Sequence, residues 1–536
     1  MTESATVASV PKRVSTARSS ISVAAWTLIS RLIGLLRVLV IGALMGPTYF
    51  ANIFQAGYMV PNMIQAVIAG PILGTVVVPT VVRALDNHGT HRAAEVLSRI
   101  SGRMLTFSVA GALLLALLSP VVAWTFTVDV PGPERMRAWQ LAALLVLFVA
   151  PQIVGYGIVS LCIAAQQARG RFALAAGAPG VESVGIMVTL VIVSRIYGTG
   201  VEVNRAPTSM MIMLGVGTTA SLAVHLGLQI YGTRKVGLLR LPSRGWRDDP
   251  EAADALLRIL RSVPIAVCPS TISYLLTALA STVPGGVWVI QLSYQMYYSL
   301  SFLGSRAVSL AALPRLAKAA SGSLRQFGAA WREGIFYAVS ASLPSMCLLA
   351  VFAAPTADLL ANGELRRAGM IGVLASSLTV AAFAQMAGGI HDFGRQGLFA
   401  RFDDRGPRIA SVVGLPVSAV VAFSTLFMPA NGFRLAGLVT AILAGETASA
   451  AIVLIRLRWA IRPEAFTERA HVLAAGLATL AMSPVIAAGW FLLHDTTLRF
   501  ERISELAVLV GCGALALAMF AVVLRRTGPN QRAEQP

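Results

Sequence analysis

The sequence predicts an all-α integral membrane protein of about fourteen transmembrane helices, and three observations carry that reading. Of its 536 residues, 56% are hydrophobic and only 12% are charged, against about 25% charged in ordinary soluble domains. Apolar stretches of membrane-crossing length, roughly 18–25 residues, recur along the whole chain, which has a mean hydropathy of +0.72. Basic residues crowd alternate connections between those stretches, as topology-setting arginine and lysine do. The longest polar connection, Gly232–Arg261, is about thirty residues, too short for a separate soluble domain.

Taken in order, the expected spans lie near 22–45, 55–82, 102–126, 137–165, 174–197, 208–231, 259–282, 288–313, 334–356, 368–392, 408–428, 433–455, 472–493 and 504–524. The first contains the apolar run Trp26–Met45, and its flank Lys12, Arg13 and Arg18 precedes a stretch too long for the h-region of a cleavable signal. Basic clusters then fall at Arg83–Arg103, Arg169/Arg171, Arg234–Arg261, Arg315–Arg332, Arg395–Arg408, Arg456–Arg469 and from Arg525 onward. The intervening connections hold few basic residues (Arg135/Arg137, Arg205, Arg366/Arg367, Arg434, Arg499/Arg502), and Ser281–Trp288 holds none. This alternation predicts an even number of spans with both termini cytoplasmic. Interior Gly34, Pro61, Gly70-Pro71, Pro151, Pro179-Gly180, Pro264, Pro269, Pro344 and Pro416 predict kinked helices around a cavity, as in a transporter with hinges.

The composition excludes several function classes. A formal charge of +19 sits mostly in short loops without an aromatic-rich basic patch, which argues against nucleic acid as a partner. Cys162, Cys268, Cys347 and Cys512 lie singly in apolar segments, so neither a disulfide framework nor a metal site is expected. His88, His91, His471 and His494 fall in loops or at helix ends, His225 and His391 are isolated, and none has a metal-ligand partner at helical spacing. There is no Walker A motif, nucleotide fingerprint or nucleophile elbow. The reading is therefore no enzyme, no catalytic residues and no cofactor, with any transport driven by an ion gradient, the membrane potential or the substrate's own gradient.

The intramembrane polar residues are the functional candidates. Arg31 and Arg37 lie inside the first span, where even lenient scales charge an arginine roughly 2.5–3.5 kcal/mol. Such residues face a bundle interior or wet cavity, or else snorkel to an interface and grip carbonyls. Gln291 and Gln295 are four apart, and Arg306 lies eleven further on, about three turns, so one continuous helix would return it to their face. That stripe reads as cavity lining, with interhelical hydrogen bonding as the alternative. Asn52, Asn62, Gln65 and Gln385 are further polar positions, and Glu182 and Glu446 are intramembrane carboxyls. Each glutamate is a candidate proton or cation site, or an internal ion pair with an arginine.

Ser30-Arg31, Gly34 and Arg37, followed by Pro61-Asn62, resemble the start of the MurJ/MviN family, lipid II flippases of the multidrug/oligosaccharidyl-lipid/polysaccharide exporter superfamily. Arg171-Phe172 to Pro179 is similar to the family's segment opening the fifth helix, Leu313-Pro314 to the end of its eighth, and Ala400–Pro407 (ARFDDRGP) to its turn before the eleventh. The resemblance covers nearly the whole chain and implies two lobes that alternate around a central cationic cavity. The implied organisation is a cytoplasmic tail 1–21, an N-lobe 22–231, a cytoplasmic connection 232–258, a C-lobe 259–456, a helix pair 470–525 and a tail 526–536. It implies a lipid-linked anionic substrate, with membrane lipids and other cell-envelope proteins as further partners. Arg31 and Arg37 match cavity arginines that grip a diphosphate, and the last two helices match a groove for the lipid tail.

The chain also departs from the family pattern. Gln65 and Gln295 stand where arginines are usual, Val38 and Asn52 where acidic residues are usual, and Gly70-Pro71 where the family has Glu-Gly. Stretches 259–282 and 408–428 lack Asp, Glu and Asn, so the sodium site of some members is not expected here. The leading expectation is a flippase of a polyprenyl-diphosphate-linked cell-wall precursor, with Arg31 and Arg37 on the diphosphate and Gln65, Gln291, Gln295 and Arg306 as further substrate-binding residues. The alternatives are a divergent exporter of another lipid-linked saccharide or amphipathic molecule, and a non-transporting cell-envelope scaffold.

Overall fold

The computed structural model describes residues 16–72, 76–462, 465–494 and 502–528. Most of the expected tails (1–21 and 526–536), Lys12, Arg13, Arg499 and part of the second span (73–75) lie outside the described residues. The nineteen α-helices run in chain order as α1 (Thr16–Met45), α2 (Tyr49–Ile72), α3 (Val78–Leu117), α4 (Ser119–Thr125), α5 (Gly132–Val149), α6 (Gln152–Ala168), α7 (Ala173–Tyr197), α8 (Thr208–Lys235), α9 (Pro250–Ala280) and α10 (Gly286–Leu303). They continue as α11 (Ser305–Ala320), α12 (Leu324–Val351), α13 (Ala353–Leu360), α14 (Glu364–Arg367), α15 (Ile371–Ala400), α16 (Arg405–Ser424), α17 (Gly432–Ile461), α18 (Arg469–His494) and α19 (Arg502–Thr527). The described residues contain no strand.

Among the described residues, eleven helical stretches are long and apolar enough to cross a membrane, so the expected count of fourteen is not confirmed. The second, seventh and eighth expected spans fall short by that measure. Among the described residues of α9 the apolar stretch is Ala266–Ala280, and the eighth expected span is broken in two. Gly304, at φ −98° and ψ −108°, leaves the helical region and separates α10 from α11. Other expected spans are also interrupted. Pro151, which has no N–H to continue the ladder, separates α5 from α6, and Ser119-Pro120 divides α3 from α4. Within α3, Gly89 adopts φ 77°, a conformation that glycine alone reaches at little cost. The tenth span exceeds expectation: α15 runs on to Ala400 and carries Asp392 and Arg395 inside the helix.

Two groups of helices pack around a shared seam. In the N-terminal half, α7 packs on α1 and α8, α3 on α6, and α2 on α5; in the C-terminal half, α15 packs on α12 and α17, and α16 on α17. Helix α9 touches both, through α2 and α16, while α18 and α19 pair with each other and reach α12. Buried Val38, Trp288, Leu374 and Leu438 belong to one apolar core that spans the seam.

The hydrogen bonds that cross the seam gather toward one end of the bundle. Asn52 Nδ2 donates to the carbonyls of Ser281 (3.2 Å) and Val283 (2.7 Å), and its Oδ1 accepts from Val287 N (3.2 Å). Trp288 Nε1 donates to Val38 O at 2.8 Å, and Thr199 Oγ1 to Glu364 at 3.0 Å. Buried Arg434 donates to Thr282 Oγ1 (3.0 Å) and Met428 O (2.8 Å) and lies 3.6 Å from Asp129. Asn52 and Val38, two of the neutral departures, thus serve this closure. At the other end, fully buried Asp249 caps α9 through the amides of Glu251 and Ala252 and pairs with Arg92 (3.0 Å) and Arg99 (3.3 Å).

Candidate functional site

Arg31 of α1 faces α10 across the seam, and Arg37 faces α2 of its own half. Arg31, Gly34 and Arg37 are spaced three apart, so they follow one face of the helix. Glycine at the middle position lets α10 approach: a β-carbon there would stand 3.8 Å from Gln295 Nε2. The Arg31 guanidinium lies over the Phe302 ring, 4.4 Å from its centroid. Arg37 Nη1 donates to Tyr58 Oη at 2.6 Å, with the guanidinium 5.5 Å from that ring. Aromatic faces attract cations without neutralising them. Among the described residues neither arginine forms an ion pair, and the Nε of each is buried without a hydrogen-bond partner. A buried donor left in this state costs about 1–3 kcal/mol, a cost that a bound anion would relieve.

The other candidates separate into three groups. Arg306 is exposed on α11, yet close enough to Arg31 for their charges to repel. The break at Gly304 means that it does not continue the α10 stripe; it returns to the site by the turn of the chain. Gln295 is half-buried opposite Gly34. Gln65 Nε2 donates to Ser160 Oγ on α6, and buried Gln291 lies against Met59 Sδ and Gln55 O of α2. Gln291 thus makes interhelical contacts, while Arg31, Arg37, Gln295 and Arg306 gather at the seam.

Glu182 and Glu446 are held alike, and by partners that sequence reading missed. Glu182 Oε1 accepts from Tyr156 Oη at 2.5 Å, and Oε2 lies 2.8 Å from His225 Nδ1. Glu446 Oε1 accepts from Tyr297 Oη at 3.0 Å, and Oε2 lies 2.9 Å from His391 Nδ1. Neither pairs with an arginine, contrary to one of the two expectations, and the two histidines that read as isolated are their partners. The available signal was arithmetic: each half of the chain holds one intramembrane glutamate and one intramembrane histidine.

The charges of the triads and of the nearby arginines act on shared tyrosines. Glu182 and Arg37 both act electrostatically on Tyr58 and Tyr156. Glu446, Asp392, Arg31 and Arg306 all act on Tyr298. Outside the spans, Asp403 accepts from Arg456 (2.5 Å) and from the amides of Arg405 and Gly406 (3.0 Å each). Partial burial of Asp403 opposes its ionisation, but the Arg456 and amide hydrogen bonds prevail and hold the carboxyl below its ordinary range. The described residues contain no cluster able to hold a metal ion. The arrangement favours anion binding within a helical bundle.

A family model described as lipid II flippase MurJ matches residues 41–511, beginning just after the two arginines of α1. A probable lipid II flippase MurJ of Vibrio cholerae is 25% identical over 236 residues, 43% of each chain. One of Rhizobium tropici is 21% identical over 422 residues, 78% of this chain and 76% of the relative. The chain spans about half the length of the first curated relatives it matches, 43% and 56%. The fold is similar to a solved lipid II flippase MurJ in an inward closed conformation, with TM-score 0.71 and 16% identity over 94% of this chain and 99% of that one. It also resembles an inward-facing multidrug resistance MATE family transporter, with TM-score 0.62 and 16% identity over 82% and 98%.

Proposed function

The chain belongs to the lipid II flippase MurJ family, and from that premise we propose that it moves a polyprenyl-diphosphate-linked cell-wall precursor, lipid II or a close relative, across the membrane by alternating access. It is a multi-pass membrane protein of a transporter family rather than an enzyme family. The observation that carries the reading is the pair of α1 arginines, with buried Nε donors unpartnered and no carboxylate paired to either. A planar fork of donors suits diphosphate oxygens better than a point charge does. In this reading the lobes 22–231 and 259–456 rock about the seam. Arg31 and Arg37 grip the diphosphate, Arg306 adds charge, and Gln295 and Gln65 offer hydrogen bonds to sugar or peptide. Both termini face the cytoplasm of a bacterial plasma membrane, where other cell-envelope proteins have access to the loops.

The test is transport of fluorescent lipid II in proteoliposomes. Arg31→Ala and Arg37→Ala are expected to abolish flipping while expression and the thermal unfolding midpoint stay near wild type. Full activity in both variants would remove the diphosphate grip. Neutral Gln65 and Gln295 favour a second reading, in which the cargo is another lipid-linked saccharide of lower charge. Complementing cells depleted of their own lipid II flippase separates the two, because the second reading predicts failure despite correct membrane insertion.

A further inference from the structure

The C-terminal triad lines a cavity and is more exposed than the N-terminal triad. His391 and Glu446 line a space of about 60 Å³ with Tyr294, Tyr298, Cys268 and the serines of α16 and α17. At roughly 30 Å³ per water, it has room for about two. The side chains of His391 and Glu446 are 13% and 26% exposed, whereas those of His225 and Glu182 are 4% and 8% exposed. The second ring nitrogens differ as well. Gln229 Nε2 lies 3.4 Å from His225 Nε2, and Gln229 is itself held by Gln166 at 2.7 Å. His391 Nε2 is buried with no partner.

Those differences have a chemical meaning. When His391 Nδ1–H donates to Glu446, Nε2 carries the free lone pair and is the basic atom of a pair that lines the cavity. Ser411, Ser418 and Ser449 donate their hydroxyl protons to the carbonyls of Pro407, Ala441 and Ala410 (3.1, 2.6 and 3.1 Å). They therefore present lone pairs to water in the cavity. Both Glu446 oxygens are already engaged, so a metal cation there would compete with Tyr297 and His391 for the carboxylate. We propose that this cavity is a proton-binding site. His391 Nε2 takes a proton from hydronium, which leaves water, and the Glu446 carboxylate stabilises the imidazolium.

The groups facing the site place it next to the anion grip. Helix α10 supplies Tyr294, Tyr297 and Tyr298, α9 supplies Cys268, and α15 itself carries Asp392 paired with Arg395 at 2.5 Å. Helix α11 contributes Ser305 beside Gly389, while α12 contributes Ser342 and Ser345 beside Gln385. From α16 come only uncharged Ser411, Gly414 and Ser418. Tyr298 lines the cavity, and one turn further along α10 lies Phe302, over whose ring the Arg31 guanidinium sits at 4.4 Å. Unprotonated, the His391–Glu446 pair carries one negative charge that partly cancels the field of the grip arginines. Protonated, the pair is neutral and the arginines are free to attract an anion. Proton and anion therefore bind with positive coupling, and by linkage each strengthens the other equally. This coupling rests on the anion-binding reading above; the proton site does not.

Two measurements separate the two statements. Infrared difference spectra of the reconstituted full chain between about pH 5 and 8 are expected to show, beside the signals of loop and helix-end histidines such as His88 and His91, one imidazole component that persists in His225→Gln and is lost in His391→Gln. An unchanged titration in His391→Gln, or a sodium-induced carboxylate shift in its place, would overturn the proton site. Binding of undecaprenyl diphosphate in weak buffer is expected to take up protons, and to tighten as pH falls, in wild type but not in His391→Gln. Binding with no pH dependence in wild type would overturn the coupling. Failure of wild type to bind the probe at any pH would sink the anion reading while the spectra still decide the proton site.

Discussion

Glu182 and Glu446 bring a tyrosine and a histidine together in the two halves of the bundle with nearly the same distances, yet in opposite surroundings. The N-terminal set is sealed: Tyr156, Glu182 and His225 are buried, and Gln229 closes the last open nitrogen. The C-terminal set is half open, and its histidine faces a small cavity. Identical first partners therefore do not make identical sites. What distinguishes a structural clasp from a titrating site is access by water and one unpartnered lone pair.

The comparison is tested most strongly by removing each carboxyl. In Glu182→Ala a buried tyrosine hydroxyl and a buried imidazole both lose their partner, at roughly 2–5 kcal/mol in total. In Glu446→Ala water reaches the gap, and the expected cost is about 1 kcal/mol. Thermal unfolding in detergent reads the difference, with Glu182→Ala falling well below Glu446→Ala. Equal losses would mean that both triads are merely structural. A smaller change asks what silences His225. Gln229→Leu strips the cap from His225 Nε2 and leaves Gln166 Nε2 with only the backbone carbonyl of residue 229 at 3.2 Å, a loss of roughly 1–3 kcal/mol. We expect no new imidazole titration in that variant, because the His225 side chain is only 4% exposed. Appearance of one would show that the amide alone, and not exclusion of water, separates the two halves.

How much of this was legible in the sequence follows from range. Hydropathy and loop charge are local, so the membrane class and most helices could be read directly. Glu182 and His225 are forty-three residues apart and Glu446 and His391 fifty-five, and no periodicity links residues on different helices. The α10 stripe failed for another reason. Periodicity assumes an unbroken helix, and Gly304 between Leu303 and Ser305 ends it. Proline at 151 and glycine at 304 were visible as letters, but a membrane tolerates both inside a helix, so neither letter told whether the helix would stop. Arg31 and Arg37 stood out by their cost in hydrocarbon. Their aromatic partners, Phe302 and Tyr58, gave no such signal, because an aromatic side chain in a span is ordinary.

The smallest expected effect removes a confounder from the comparison. Asp403, in the turn between α15 and α16, is the carboxyl outside the spans whose ionised form is held by Arg456 and two backbone amides. Its folded value lies below the ordinary carboxylate range. The stability it contributes is therefore complete above about pH 3.9, the unfolded value, and is lost as pH falls through the lower folded one. Exposure of 24% and 38% for the two side chains limits the contribution to at most about 1 kcal/mol. Asp403→Asn should lower the unfolding midpoint slightly at neutral pH, and the gap from wild type should close in strong acid. Between pH 5 and 8 the size of the gap should stay constant, since Asp403 is fully ionised throughout that range. A pH dependence in that window that survives Asp403→Asn and disappears in His391→Gln then belongs to the open triad. One that disappears in Asp403→Asn would place the pH sensor in the turn and leave the two triads equivalent.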